Sequence, residues 1–255
     1  MPNIKLVVEY DGSRYHGWQR QPRLPTVQGT LEDAIAVIAQ KRATLIGAGR
    51  TDAGVHAQGQ VANFKIDTRL TPETWMRALN SLIPDDVVIV SAQKVSSRFH
   101  ARFSAIGKIY RYRIINRRYA PAIGRQYVWT VYEPLNIRHM KSAARALIGK
   151  HDFSSFQRSD PSKDRTKGGK RTAFCHIRRL ELVKRNDNLV ITIEADRFLQ
   201  HMVRTIVGTL VEVGRGRRSP REMSRLLEKK DRRFGGRTAP AQGLCLAQVK
   251  YNDLL

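Results

Sequence analysis

Cysteines are rare in this sequence, and long hydrophobic runs are missing from it. Two cysteines, Cys175 and Cys245, are too few for a disulfide framework or a thiolate metal cluster. The seven histidines are scattered, with no pair at the spacing of metal ligands. No apolar stretch approaches the roughly 20 residues that a membrane span needs, and the N-terminal sequence MPNIKLVVEY lacks the layout of a signal peptide. We therefore expect a cytoplasmic protein with no metal and no membrane association.

Acidic residues are few as well, because 22 Asp and Glu stand against 46 Lys and Arg, which gives a formal net charge of +24. Three segments concentrate this excess: residues 98–118 have seven basic and no acidic residues, residues 158–171 have six and two, and residues 215–237 have ten and three. A solvated surface is one interpretation of such runs. We favour contact with the phosphates of a nucleic acid, whose binding depends strongly on salt because counterions are released.

The remaining composition is that of a globular protein. Of the 255 residues, 41% are hydrophobic and 27% are charged, which excludes disorder as the main state. A chain of this length forms one large domain or two small ones. Hydrophobic periodicity predicts strands at 4–10, 60–66, 87–95, 109–115, 175–184, 189–195 and 244–251. It predicts helices at 26–40, 71–83, 136–149, 199–213 and 219–229.

The order of these elements partly repeats after residue 104. We therefore predict an α+β fold with two related halves, an N-terminal half at 1–104 and a C-terminal half at 105–255. Each half is expected to be a mainly antiparallel sheet with helices on one face, as in ferredoxin-like or RRM-like folds.

The glycine-rich segment GAGRTDAGVH, residues 47–56, resembles two phosphate-binding motifs but matches neither. In a dinucleotide fingerprint starting at Gly47, Asp52 occupies the position of the third glycine. Residues 49–54 have the glycine spacing of a phosphate loop, but Val55 and His56 stand where Lys and Ser or Thr are required. We therefore expect no nucleotide cofactor.

Two interpretations of Asp52 remain open from the residues alone. In the first, the segment is a tight turn in which glycines adopt positive φ and Asp52 bonds to nearby backbone amides. In the second, Asp52 projects into a basic groove where RNA approaches the backbone closely, which requires small flanking residues.

The segment GRTDAGVHAQGQVANF, residues 49–64, resembles the signature loop of TruA-type tRNA pseudouridine synthases. Further similar blocks follow in the same order as in that family. They are YDGSRYHGWQRQP with TVQGTLEDAI, IGKIYRYRI, RFLQHMVRTIVGTLVEVGRG and APAQGLCL. The resemblance covers essentially the whole chain.

The resemblance implies that uridine is isomerised to pseudouridine at nucleotides 38, 39 and 40 of the tRNA anticodon arm, by a homodimer without a cofactor. The two halves are then expected to meet at a basic active-site cleft. An alternative that composition alone supports is a non-catalytic basic RNA-binding protein.

The isomerisation that the resemblance implies breaks the C1′–N1 bond, turns the uracil, and joins C5 to C1′. The catalytic carboxylate either attacks C1′, attacks C6, or removes the C2′ proton, and the sequence leaves all three open.

By resemblance, Asp52 is the catalytic residue. A carboxylate in a dry site stays ionised only if a cation holds it charged, and Arg204 is the best candidate for that cation. It sits at the margin of the apolar stripe of the helix predicted from Leu199. The resemblance favours an ion pair with Asp52; an arginine that reaches out to solvent is the alternative.

Three further residues are implied in substrate binding. Tyr110 lies in KIYRYRI, where strand alternation puts Tyr110 and Tyr112 on one face, and the family places Tyr110 against the target base. Arg50 is expected to brace the helix from which the uridine is extruded. Leu244 is either an apolar wall of the uracil pocket or a core residue. His56 and Gln60 are expected to support the loop by hydrogen bonds.

Overall fold

The computed structural model describes residues 1–158 and 173–252. The basic segment 158–171 therefore lies, apart from Arg158, outside the described residues. By contacts, the chain divides into two compact units. Unit 1 comprises Met1–Ile109 and Cys245–Leu255, and unit 2 comprises Tyr110–Leu244.

Within the described ranges the chain alternates strands and helices. The strands are β1 (Asn3–Tyr10), β2 (Ile46–Gly47), β3 (His56–Lys65), β4 (Val87–Val95), β5 (Gly107–Asn116), β6 (Trp129–Val131), β7 (Gly149–Asp152), β8 (Phe174–Arg185), β9 (Asn188–Ala195) and β10 (Leu244–Lys250). The α-helices are α1 (Val27–Ala39), α2 (Pro72–Leu82), α3 (Ile137–Arg145), α4 (Met202–Gly214) and α5 (Glu222–Lys229). This confirms the predicted α+β class.

Unit 1 contains a sheet in the order β4-β1-β3-β10, with β2 paired to β3. β1 is antiparallel to both β3 and β4, as expected for neighbouring strands with alternating buried positions. β10 instead pairs in parallel with β3, through Cys245 opposite His56. A strand from the end of the sequence therefore lies beside the strand that follows the Asp52 segment.

The two helices of unit 1 begin where their sequences predict. The hydroxyl of Thr26 accepts a hydrogen bond from the backbone N–H of Gly29, and Thr71 caps α2 in the same way, with Pro72 as its first residue. α2 packs against the sheet through Trp75, whose ring meets Phe64 edge-on with ring centroids 5.1 Å apart.

Within unit 2 the strand order is β5-β9-β8-β7, with the short strand β6 parallel to β5. β8 is antiparallel to β9 and to β7. α3 packs against β8 and α4, burying Met140. α4 is buried on nearly all sides; among its residues only Arg204 and Glu212 are partly exposed.

Several predicted boundaries were wrong. The helix predicted at 199–213 begins at Met202, because His201 has a left-handed φ of 63°. The helix predicted at 136–149 ends at Arg145, and Gly149, with φ of 111°, starts β7 instead. The short strands β2, β6 and β7 were not predicted.

The domain division at residue 104 stays a prediction, and the compact units differ from it in two respects. The first is the boundary, because unit 1 extends to Ile109. The second is the closing strand. The division assigns the closing strand to the C-terminal half, whereas nearly all of β10 belongs to unit 1. The physical reason is its pairing with β3.

Candidate active site

Asp52 lies in the loop between β2 and β3, and its neighbour Thr51 fixes that loop to the core of unit 1. The hydroxyls of Thr51 and Tyr10 are 2.8 Å apart in a buried hydrogen bond. The carbonyl oxygen of Thr51 accepts from the backbone N–H of Trp18 at 3.1 Å. Thr51 is held by both its side chain and its main chain. The backbone that carries the next residue, the half-buried Asp52, therefore has a fixed position.

Glycines allow neighbouring segments to approach this loop. A Cβ on Gly17, which has a φ of 92°, would lie 2.5 Å from the carbonyl oxygen of Thr51. A Cβ on Gly12 would lie 2.0 Å from the carbonyl oxygen of Val55. The segment DGSRYHGW therefore packs on the loop by its backbone, and any side chain at either glycine would push the two segments apart.

The loop also contains a tight turn, as the first of the two interpretations of Asp52 predicts. Gly54 has a φ of 75°, and the backbone N–H of Val55 donates to the carbonyl oxygen of Asp52 at 3.2 Å. This closure uses the main chain of Asp52, so the turn and a functional carboxylate are compatible.

His56 and Gln60 support the loop by hydrogen bonds, as predicted. The Nε2 amide of the fully buried Gln60 donates to the carbonyl oxygen of Gly49 at 2.8 Å. Nδ1 of His56 is 3.0 Å from the backbone nitrogen of Gly12 and 3.0 Å from Oδ1 of Asp11. It accepts from Gly12 when Nδ1 has no proton and donates to Asp11 when Nδ1 has one.

Arg50 belongs to the same loop and is exposed. A Cβ on its neighbour Gly49 would lie 3.2 Å from Cε of Lys108, so the lysine stem packs directly on the loop backbone. Two cations, Arg50 and Lys108, therefore lie at the Asp52 loop of unit 1. Lys108 was not predicted from the sequence.

The other predicted residues belong to unit 2. Tyr110 and Tyr112 are buried on one face of β5, while Arg111 and Arg113 are exposed on the other, which confirms the predicted alternation. The ring of Tyr110 meets Phe198 edge-on, with ring centroids 5.1 Å apart and planes at 89°.

Tyr112 has a different environment from Tyr110. Its hydroxyl donates to the carbonyl oxygen of Pro240 at 2.7 Å, and burial raises its pKa well above the ordinary value. It is a structural residue that ties β5 to the segment before β10. Leu244, also buried, follows Gly243, where a Cβ would lie 2.7 Å from the Tyr112 ring. The burial of Leu244 is consistent with both of its predicted roles, an apolar wall of the uracil pocket and a core residue.

Arg204 projects from the first turn of α4. Its Nε–H donates to the carbonyl oxygen of Ala239 at 2.8 Å, and its side chain is half-buried. Of the two charged residues of α4, Arg204 lies near its N-terminal end and Glu212 near its C-terminal end, so the guanidinium is the one cation of this helix.

The basic segment 215–237 divides into paired and unpaired cations. Arg215 forms an ion pair with Glu133 at 2.6 Å, and Arg233 forms one with Asp231 at 2.6 Å. Arg218 pairs with Glu212 on α4. The exposed residues Arg221, Arg225 and Lys230 have no ion pair with any other described residue. The sequence could not reveal this division, because the acidic partners of Arg215 and Arg218 precede the segment.

Residues 1–158 and 173–252 contain neither a cluster of metal ligands nor a membrane-spanning helix. No group of three or more His, Cys, Asp or Glu side chains is arranged there to hold a metal ion. None of the helices in those ranges has both the length and the apolar character needed to cross a bilayer.

Comparisons with known proteins give a consistent result. A family model described as tRNA pseudouridine synthase matches residues 6–104 and 143–252. The tRNA pseudouridine synthase A of Thermoanaerobacter pseudethanolicus is 48% identical over 251 residues, which cover 98% of this chain and 100% of the relative. The proteins of the same name from Acetivibrio thermocellus and Myxococcus xanthus are 43% and 42% identical, and cover 98% and 99% of this chain and 100% and 93% of the relatives.

Proposed function

Since this chain belongs to the tRNA pseudouridine synthase family, we propose that it isomerises uridine at nucleotides 38, 39 and 40 of the tRNA anticodon arm, with Asp52 as the catalytic residue. The observation that carries the proposal is the anchored loop of unit 1. Its buried Thr51 is fixed by Tyr10 and Trp18, and the next residue is the half-buried Asp52.

The reaction is an isomerisation and is therefore balanced without a co-reactant. The C1′–N1 bond breaks, the uracil turns within the pocket, and C5 bonds to C1′. C5 loses its proton and N1 gains one, so the substrate and the product have the same composition. What the protein must supply is an ionised carboxylate, a dry pocket and a path for that proton.

Asp52 acts in one of three ways: attack at C1′, attack at C6 of the base, or removal of the C2′ proton. Each of them requires the carboxylate to be charged when the nucleotide is bound. Burial under the RNA disfavours the charged form of a carboxylate, and a nearby cation favours it. Arg204 is proposed to supply that cation, as the guanidinium that α4 presents in unit 2.

The remaining predicted residues are proposed to bind the extruded nucleotide. Tyr110 supplies a ring for the uracil, and its hydroxyl is a candidate for the proton transfer. Arg50, exposed next to Thr51, is suited to contact phosphate or to stack where the uridine has left the helix. Leu244 supplies apolar surface to the base.

A homodimer that works in the cytoplasm is part of the proposal. In this assembly, one tRNA touches both subunits. Sedimentation of the purified protein with and without tRNA tests the stoichiometry: two chains per complex support it, and one chain per active complex contradicts it.

The direct test of the function is to incubate the purified protein with an unmodified tRNA transcript, without added cofactor, and to map pseudouridine along the RNA. The proposal predicts pseudouridine at positions 38, 39 and 40 and nowhere else in the anticodon arm. Modification at other positions would contradict the proposed site choice. Tight binding without any pseudouridine would instead support the non-catalytic RNA-binding protein.

A further inference from the structure

A five-residue segment of unit 2, Gly236–Pro240, lies directly on the backbone of α4; we call it the α4 strap. A Cβ on Gly208 in α4 would lie 1.8 Å from the carbonyl oxygen of Arg237, so only glycine permits this approach. The backbone N–H of Gly236 donates to Oγ1 of the fully buried Thr209 at 3.1 Å. The backbone N–H of Arg237 donates to Oε1 of Glu212 at 3.0 Å.

The far end of the α4 strap holds Arg204 at two points. The backbone N–H of Ala239 donates to the carbonyl oxygen of Arg204 at 3.0 Å. The Nε–H of Arg204 donates back to the carbonyl oxygen of Ala239 at 2.8 Å. The carbonyl oxygen of the next residue, Pro240, accepts a hydrogen bond from the hydroxyl of Tyr112 at 2.7 Å. The carbonyl group that orients the arginine is therefore fixed on both sides.

These contacts determine how Arg204 meets an acidic group. The guanidinium is planar and has a single Nε–H, which is directed to Ala239. A carboxylate is then met by the terminal nitrogens Nη1 and Nη2, along one edge of the plane. An arginine held in one orientation also loses less side-chain entropy when it forms those bonds.

We propose that the α4 strap is the positioning element of Arg204 and that Thr209 is a positioning residue for the reaction, acting through the strap. This inference rests on the proposed function, in which Arg204 holds the catalytic carboxylate charged. Loss of the Thr209 hydroxyl removes the acceptor of the Gly236 N–H. The strap then shifts. Arg204 remains on α4, but its guanidinium loses the bond to Ala239 that orients it.

The helix offers a matched control one turn earlier. Thr205 is fully buried like Thr209, but its Oγ1 has no hydrogen-bond partner among the residues that the structure describes. Thr205→Val and Thr209→Val therefore make the same isosteric change in the same helix. Only the second removes a contact to the strap.

The experiment measures single-turnover pseudouridine formation and tRNA affinity for the wild type, Thr209→Val, Thr205→Val and Thr209→Ser. A misplaced catalytic group lowers rates by about ten- to hundredfold. We expect such a loss for Thr209→Val, with tRNA affinity within about twofold of wild type because no groove charge changes. Thr205→Val is expected to keep the wild-type rate, and Thr209→Ser to recover most of it because the acceptor returns.

A second variant tests the strap from its own side, should Thr209→Val fail to fold. A Cβ on Gly236 would lie 2.7 Å from Oγ1 and 2.8 Å from Cα of Thr209, so Gly236→Ala lifts the strap and leaves α4 unchanged. It is expected to reduce the rate as Thr209→Val does. A folded Gly236→Ala protein with the wild-type rate would overturn the inference.

Two further outcomes decide between this inference and the proposed function. If the wild type forms no pseudouridine, the proposed function fails. If the wild type is active and Thr209→Val matches Thr205→Val in rate, or if Thr209→Ser is as slow as Thr209→Val, only the positioning role fails.

Discussion

The phenol of Tyr10 and the hydroxyl of Thr51 form a 2.8 Å hydrogen bond between strand β1 and the Asp52 loop. Burial raises the pKa of Tyr10 well above its ordinary value. The phenol therefore keeps its proton at pH values where an exposed tyrosine would begin to lose its own. The position of Asp52 is thus set by a core residue more than 40 positions away in the sequence.

Removing this bond tests whether the anchoring matters for chemistry. Tyr10→Phe is expected to lower the free energy of unfolding by about 1 kcal/mol, the usual net value of a buried hydrogen bond. Turnover of tRNA is expected to fall by about tenfold or more, because the loop shifts. Tyr15→Phe is the control, since it loses the 2.6 Å bond from Tyr15 to Asp86 and leaves Thr51 untouched. Equal turnover losses in the two variants would contradict the role of the anchor.

Tyr110 is expected to contribute its ring to substrate binding. Tyr110→Ala should weaken tRNA binding by about 1 to 3 kcal/mol, the range for base stacking on aromatic side chains, while Tyr110→Phe keeps the affinity. Filter binding measures both, and thermal melting shows whether loss of the edge contact with Phe198 destabilises the fold. If Tyr110→Ala is folded and binds tRNA as tightly as Tyr110→Phe, the ring has no role in binding.

The unpaired cations of the segment 215–237 are expected to dominate its contribution to tRNA binding. Neutralising Arg221, Arg225 and Lys230 together to Gln should weaken binding and lower the slope of log affinity against log salt by about 2. Arg233→Gln is the control, because the charge of Arg233 is already offset by Asp231 at 2.6 Å. A triple variant with an unchanged salt slope would show that this part of the surface does not contact RNA.

Cys175 is expected to make stability sensitive to alkaline pH. Burial raises the pKa of its thiol from 9.0 to about 11, so the folded state keeps a proton that the unfolded state releases. The resulting stability is fully present below pH 9 and is lost as the pH rises to about 11. Urea unfolding of the wild type and Cys175→Ala across this range measures it. The wild type should lose stability more steeply, and parallel curves would contradict the shifted pKa.

Sequence periodicity predicted most long elements because each has one apolar face and clear end signals. α2, with Thr71 and Pro72 at its start, is the best case. Periodicity failed where the deciding contact is distant or the backbone unusual. β10 lies in unit 1 because of its parallel pairing with β3, and no local pattern reports such a partner. His201 prevents α4 from beginning before Met202, through a positive φ that is uncommon for residues other than glycine.

For the candidate site, the catalytic and binding roles stay predictions, and only the supporting hydrogen bonds are visible in the structure. Asp52, His56 and Gln60 stand in one recognisable segment, and the hydrogen bonds of His56 and Gln60 confirmed their supporting role. The anchoring by Tyr10 and the strap beneath Arg204 were not predicted. Both depend on contacts between distant parts of the chain, side chain to side chain at Tyr10 and backbone to backbone at Gly208.

The central claim is that the carboxylate of Asp52 performs the isomerisation. The most direct measurement is single-turnover pseudouridine formation by Asp52→Asn at saturating tRNA, with affinity measured on the same preparation. The account predicts a rate lowered by more than about a thousandfold with affinity close to wild type, because the amide keeps the shape and removes the charge. A rate within a few fold of wild type would contradict it.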